Sequence, residues 1–286
     1  MKLKIMKNLI KNIIKIFSKI VFNLFKNFKA GKFFLYNLQK NINNEKKIVE
    51  LRKKKFEFYI PNEINDFRVK TFFTKEPEML DWIDTFAENK IFWDIGANIG
   101  LYSCYAAKIK NIKVYAFEPS IFNLELLGKN IFINNQVSKI TIIPIPLTEK
   151  ILESTLNFQN TELGGALSTF GKKISHDGFQ FDDIFKFSTI GITIDDAVKS
   201  FKLLAPNYLK IDVDGIEFLI LKGGETVLKN VESIMIEANQ KLKSNKQISE
   251  ILLKAGFKLK KSFSSKIFKN TDLDNMQNQL WYKMQK

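Results

Sequence analysis

Residues 92–120 read FWDIGANIGLYSCYAAKIKNIKVYAFEPS, and no other stretch restricts the fold as strongly. A hydrophobic run ends on Asp94, a loop from Gly96 to Gly100 follows, and a helix-like segment leads to a second hydrophobic run ending on Glu118. Two strands joined through a glycine turn and a helix make a right-handed parallel crossover unit. In open parallel sheets ligands bind beyond the carboxyl ends of the strands, so Asp94, the loop and Glu118 are expected along one rim. Two strand ends that merely carry acids would look the same, and the rest of the chain must decide.

The same rhythm continues. Strands are expected at 91–94, 113–117, 140–145, 207–212 and 232–237, with two more near 257–261 and 278–283. Helices are expected at 98–109, 121–133, 217–229 and 246–255. Ahead of them, KEPEMLDWIDTFAEN opens with acids and a proline and reads as a helix, whereas FEFYIPNEINDFRVKTFF alternates like a hairpin or short strands. The class is α/β, with a mainly parallel doubly wound sheet. Between 146 and 206 the rhythm fails in a stretch rich in Gly, Ser, Thr and Asp, which reads as an insertion shaping a substrate site. The chain divides into a basic extension, 1–55, and a main domain, 56–286.

The net charge of +15 suggests a nucleic-acid partner until it is divided. Residues 1–55 hold 16 Lys or Arg against Glu45 and Glu50, and the remainder holds 29 basic and 28 acidic residues. Arg52 and Arg68 are the only arginines, so the bidentate forks that read phosphates and bases are nearly absent. No nucleic-acid partner is expected. The single cysteine, Cys104, cannot form an intramolecular disulfide and reads as a buried thiol in a reducing, cytoplasmic setting. His176 is the one histidine, which argues against a histidine triad or a multi-histidine metal site.

The opening MKLKIMKNLIKNIIKIFSKIVFNLFKNFKAGK has nine lysines and no acid. At 100° per residue, Met6, Ile10, Ile13, Phe17, Ile20, Leu24 and Phe28 share one stripe, and Lys4, Lys11, Lys15, Lys19, Lys26 and Lys29 lie opposite. Phe22 breaks the pattern, and Gly31 reads as the stop. Lysines interrupt every run that could span a bilayer or form an export signal. An amphipathic helix over 1–30 is expected to lie on an anionic membrane surface, such as the inner membrane, or to pack on the body or on another subunit.

Glu118, ending the second strand, can accept hydrogen bonds from two ribose hydroxyls. A dinucleotide site wants Gly-x-Gly-x-x-Gly to bring a pyrophosphate onto the helix. Here the run is Gly-Ala-Asn-Ile-Gly, and Asp94 would repel a pyrophosphate but welcome an ammonium. S-adenosylmethionine, which carries no phosphate, suits the spelling better than NAD.

FWDIGANIGLYS, VYAFEPS and YLKIDVDGIEFLILKGG resemble, in order and spacing, three signature segments of the FkbM-type methyltransferases, over about residues 60–283. The resemblance implies a Rossmann-like class I methyltransferase with a seven-stranded sheet whose last strand is antiparallel. It also implies methyl transfer to a hydroxyl on a small molecule or carbohydrate, here a sugar or nucleotide-activated sugar of a surface polysaccharide. Carried over by residue, Asp94, Gly96, Asn98, Gly100 and Glu118 are cofactor-binding, and Asp212 is the acid ending the fourth strand. Asp214 stands where the family often has Glu, and Pro146 where it has a small residue beside the adenine.

In KIDVDGIE, Asp212, Asp214 and Glu217 surround a turn at Gly215 and are expected on the rim that carries Asp94 and Glu118. A hydroxyl acceptor needs a base, and Asp212 or Glu217 suits that role, with Lys210 adjusting its pKa. The clustered acids leave open a divalent ion, and Glu217 alternatively only caps its helix. An N-methyltransferase on a small amine, an inactive membrane-recruited scaffold and a dehydrogenase are the competing readings.

Overall fold

The computed structural model describes residues 2–173, 178–265, 267, 269, 271 and 274–284; His176 lies outside the described residues. The N-terminal region is two helices, α1 (Lys2–Phe25) and α2 (Lys29–Asn43), not one. Gly31, expected as the stop, lies buried inside α2. The break lets Phe25 meet Phe28 and Phe34 at ring distances of 5.8 and 5.0 Å.

A hairpin follows, β1 (Lys46–Leu51) and β2 (Lys54–Tyr59). It crosses the expected boundary at 55/56, so the folded body begins about ten residues earlier than the charge division suggests. LRKKK is its turn, with Arg52 and Lys53 both left-handed (φ 49° and 62°), the twist a two-residue hairpin turn requires. Phe56 and Phe58 enter the core. The next segment, expected as strand, is α3 (Glu63–Thr71), because the Asn62 side chain caps the Asn65 N–H and acids fill the first turn. α4 (Pro77–Asp84) stands where KEPEMLDWIDTFAEN reads as helix.

The main unit then runs β3 (Ile91–Ile95), α5 (Leu101–Lys110), β4 (Lys113–Phe117), α6 (Ile121–Ile133) and β5 (Ile140–Ile143). α5 starts three residues later than expected because Gly96, Asn98 and Gly100 all have positive φ, which a helix cannot accommodate. Residues 146–206 fold into their own antiparallel sheet, β6 (Leu152–Phe158), β7 (Ser168–Phe170) and β8 (Phe185–Gly191), followed by α7 (Ile194–Lys199). The main alternation resumes with β9 (Tyr208–Ile211), α8 (Glu217–Lys222), β10 (Ser233–Asn239), α9 (Lys243–Lys254), β11 (Phe257–Phe263) and β12 (Met276–Lys283). The helix expected over 217–229 ends at the Gly223–Gly224 pair, leaving a 3-10 turn at Val227–Lys229.

The seven-stranded sheet has the order β11-β12-β10-β9-β3-β4-β5, with β12 antiparallel to both neighbours and the other pairings parallel. Successive residues of β3 face opposite layers: Phe92 meets Trp82 and Phe86 in one, and Trp93 belongs to the other with Ile194, Ile220 and Leu252. The chain leaves β3 toward β5 and returns to β9 on the other side of β3, which creates a crevice at the β3–β9 boundary.

Two asparagines one turn apart on α6 hold β2. The Glu57 N–H donates to Asn134 Oδ1 (3.1 Å), Asn134 Nδ2 donates back to Glu57 O (2.7 Å), and the Tyr59 N–H donates to Asn130 Oδ1 (3.0 Å).

Candidate active site

A cavity of about 450 Å³ opens where β3, β4, β9 and β10 end, large enough for a nucleoside-sized ligand. Gly96, Asn98, Glu118, Asp212 and Asp214 line it, as do Pro119 and Pro146. The insertion closes another side through Gly165, Ala166, Leu167, Ser168 and Phe170. Polar side chains pin that wall. Arg68 Nε donates to Gly164 O (2.8 Å), Asn98 Nδ2 and Asn123 Nδ2 donate to Gly165 O (2.9 and 3.1 Å), and the Leu167 N–H donates to Asp214 Oδ2 (2.7 Å). Asp214 adopts φ 60° to make that contact, a conformation Asp tolerates.

The loop after β3 is tied to the end of β4. The Asn98 N–H donates to Glu118 Oε2 (2.7 Å) and the Ser120 N–H to Glu118 Oε1 (2.9 Å). Burial nonetheless pushes the Glu118 carboxyl up to about 7, against those donors. A Cβ on Gly96 would stand 1.9 Å from the Asp212 carbonyl oxygen, so only glycine lets β3 and β9 approach here. Gly100 is not on the cavity wall; it packs against Leu127, where a Cβ would come within 2.6 Å of Cδ1.

Asp94 also turns away from the cavity. It stands directly opposite Lys210 in the β3–β9 register, with Oδ1 3.1 Å from Lys210 Nζ, and Oδ2 accepts from Ser103 Oγ (2.6 Å). Its carboxylate is thus paired inside the protein and stands off the cavity wall, where direct contact with a ligand ammonium was expected. Lys210 Nζ also lies 3.3 Å from Asp212 Oδ2 and donates to Gly96 O (3.2 Å). Burial opposes the charge on Lys210, but Asp94 and Asp212 outweigh it and hold the ammonium above its ordinary range. Lys210 is therefore a fixed cation between two carboxylates.

Asp212 presents a third of its side chain to the opening (33%). Burial works against its ionisation, but Lys210 and Lys75 overcome that and hold it below the usual carboxylate range. Its neighbour is Glu237. Ile211 pairs with Ile236, so the next residues along the two parallel strands are Asp212 and Glu237, and both line the cavity. Burial, then the Asp212 charge, pushes Glu237 well above its ordinary value, with Lys75 working against both. The two carboxyls are driven in opposite directions, Asp212 toward its ionised form and Glu237 toward its protonated one.

Glu217 is buried and off the cavity wall, where Oε1 accepts the Gly215 N–H (2.9 Å). Burial pushes it up to about 7. Its geometry is that of a residue holding the turn after β9. The residues the sequence reading missed are Glu237, Lys75 and Arg68, all on the wall. Glu237 carries the signal that singled out Asp94 and Glu118, an acid near a strand's carboxyl end. Lys75 lies between α3 and α4, 2.8 Å from Glu76, where no periodicity marks it.

Among the described residues no cluster of three or more His, Cys, Asp or Glu could hold a metal ion; lysines stand among the acids instead. Cys104 is buried, and burial pushes its thiol up.

The family model Methyltransferase FkbM domain matches residues 94–259. Hexuronic acid methyltransferase AglP of Haloferax volcanii is 27% identical over 150 residues, which are 52% of this chain and 56% of that protein. The chain thus spans little more than half the length of this relative. Methyltransferase FkbM from Methylobacillus flagellatus superposes with a TM-score of 0.48 at 16% identity, covering 77% of this chain and 52% of that one. Precorrin-6y C5,15-methyltransferase from Geobacter metallireducens superposes with a TM-score of 0.44 at 13% identity, covering 73% and 87%. The matched segment begins at Asp94, runs through the crevice strands into β11 and takes in more than half of the chain, which therefore belongs to the FkbM methyltransferase domain family.

Proposed function

We propose that the protein is an S-adenosylmethionine-dependent methyltransferase acting on a hydroxyl of a sugar or nucleotide-activated sugar, in the cytoplasmic assembly of a surface polysaccharide. The observation that carries this is the cavity, where a ribose-type acceptor, Glu118, and two neighbouring carboxyls pushed in opposite directions, Asp212 down and Glu237 up, open onto the same space. The residues fit the cofactor: Pro119, Pro146 and Leu147 offer an apolar slot for a flat base, and Glu118 stands beside it. When bound, S-adenosylmethionine supplies a methyl group activated on a sulfonium.

The chain's part is to place the acceptor and take its proton. Asp212 is held ionised, partly open to the cavity and at a strand end, so it would take the proton of an acceptor hydroxyl placed beside it. Glu237, which burial drives toward its protonated form, stands beside it as a hydrogen-bonding partner that helps keep Asp212 ionised. Lys210 keeps Asp212 charged and takes no proton itself. The Gly165–Ser168 wall excludes water from one side. The relative's printed activity toward a hexuronic acid supports a sugar acceptor.

The test is mass spectrometry of small molecules released from the purified protein, followed by methyl transfer from labelled S-adenosylmethionine to panels of nucleotide sugars and of amines. A retained adenosyl compound and labelled sugar are expected. Labelled amines with unlabelled sugars would replace the acceptor assignment, and absence of cofactor binding would leave a scaffold.

A further inference from the structure

We infer that α1 and α2 form a docking device for an anionic lipid surface, independent of the catalytic reading. Residues 1–44 contain ten lysines and no acid. α2 packs against the last turns of α1, where Val21 and Phe25 are half-buried and Phe22 and Lys26 share a groove with Leu35, Tyr36 and Leu38. Phe22, which breaks the helical stripe, faces this groove and is itself 53% exposed. The stripe itself stays bare: Ile10, Ile13, Phe17, Ile20 and Leu24 are exposed, Phe17 by 64%. Lys11, Lys15 and Lys19 lie on the opposite side of the same helix, with Lys26 just past its end.

A row of large apolar side chains left in water lacks its partner. A protein core would cover the stripe but gain nothing from the lysines. A nucleic acid would meet the lysines but leave the stripe in water. An anionic bilayer satisfies both: the stripe enters the acyl boundary, and the lysine stems run up toward the headgroup phosphates. No helix among the described residues is long and apolar enough to cross a membrane, so the device lies on the surface.

The experiment uses the full chain with Phe17→Trp as a reporter, and phosphatidylcholine vesicles with and without phosphatidylglycerol. Expected are sedimentation with the anionic vesicles alone, a blue shift of the new tryptophan, and a loss of about tenfold or more in binding on raising salt. Replacing Lys11, Lys15, Lys19 and Lys26 by Gln should remove the preference for anionic lipid, and Phe17→Asp should remove binding, each with unchanged circular dichroism. Equal binding to both vesicle types overturns the inference. So does failure to bind either type, whether the protein then forms a concentration-dependent dimer abolished by Phe17→Asp or binds random-sequence RNA instead.

Discussion

Lys210 and Asp94 face each other across the parallel register of β9 and β3, 3.1 Å apart, and neither side chain is more than 1% exposed. Removing the lysine takes the buried counter-charge from Asp94. Lys210→Met should destabilise the fold by about 3–5 kcal/mol in urea unfolding, the range for breaking a buried pair. Lys210→Met with Asp94→Asn should recover much of that loss. Equal stabilities of the single and double variants would show that Asp94 does not need its partner.

Asp212→Asn should lower turnover by about 100-fold or more, the usual cost of losing a general base, with cofactor affinity changed far less. Glu237→Gln keeps a donor toward Asp212 and should lose less than Glu237→Ala. Glu217→Gln should keep most of its turnover, because Glu217 holds the Gly215 turn and is off the cavity wall. Steady-state kinetics with titration calorimetry separate these outcomes, and a Glu217→Gln loss equal to that of Asp212→Asn would reverse the assignment.

The Glu118 carboxyl, raised by burial to about 7, sets a pH dependence. A carboxyl whose folded value is raised favours the protonated fold, so its contribution to stability is full below about 4.5 and lost as pH rises through about 7. Glu217 acts in the same direction over the same window. The urea midpoint should therefore fall between pH 5 and 8, and Glu118→Gln with Glu217→Gln should flatten that fall. The ionised form of Glu118 accepts ribose hydroxyls, so cofactor affinity should rise from pH 6 to 8 in the parent and not in Glu118→Gln. Affinity independent of pH in the parent would remove Glu118 from the cofactor site.

Gly96→Ala and Gly100→Ala should differ. At Gly96 the new carbon meets a backbone oxygen of Asp212, which cannot yield without parting β3 from β9; at Gly100 it meets the tip of the Leu127 side chain. Both also carry the strain of a positive φ. Gly96→Ala should abolish cofactor binding, whereas Gly100→Ala should retain it with reduced thermal stability. Calorimetry and thermal melts decide, and equal binding losses would place Gly100 in the site.

The central strands β3, β4 and β9 were legible in the sequence because they are short apolar runs ended by acids or glycine, a signal that survives without tertiary context. The site was legible where its residues end those runs, as at Glu118 and Asp212. Side-chain direction was not. Asp94 and Glu118 end neighbouring strands, yet one turns inward to Lys210 and the other toward the cavity, and only the pairing register distinguishes them. The α3 helix was misread because DFRVKTFF alternates by chance while its start is set by one capping asparagine, Asn62. The sheet within 146–206 was missed because Gly, Ser and Thr mask strands whose apolar faces close on a small cluster of their own, Leu156, Phe158 and Phe170 with Ile216 and Leu219.

The two asparagines on α6 also govern what the hairpin can do to other molecules. An edge strand offers alternate N–H and C=O groups as a template on which a foreign strand can grow. On β2 the outward-facing groups of Glu57 and the N–H of Tyr59 are already engaged by Asn134 and Asn130, so a helix takes the place a next strand would occupy. Edge-to-edge polymerisation is thereby closed off at the outer edge of β2 while α1 and α2 still present bare apolar surface. Asn130→Ala with Asn134→Ala would reopen that template, turning a soluble edge into a nucleus for fibrous assembly.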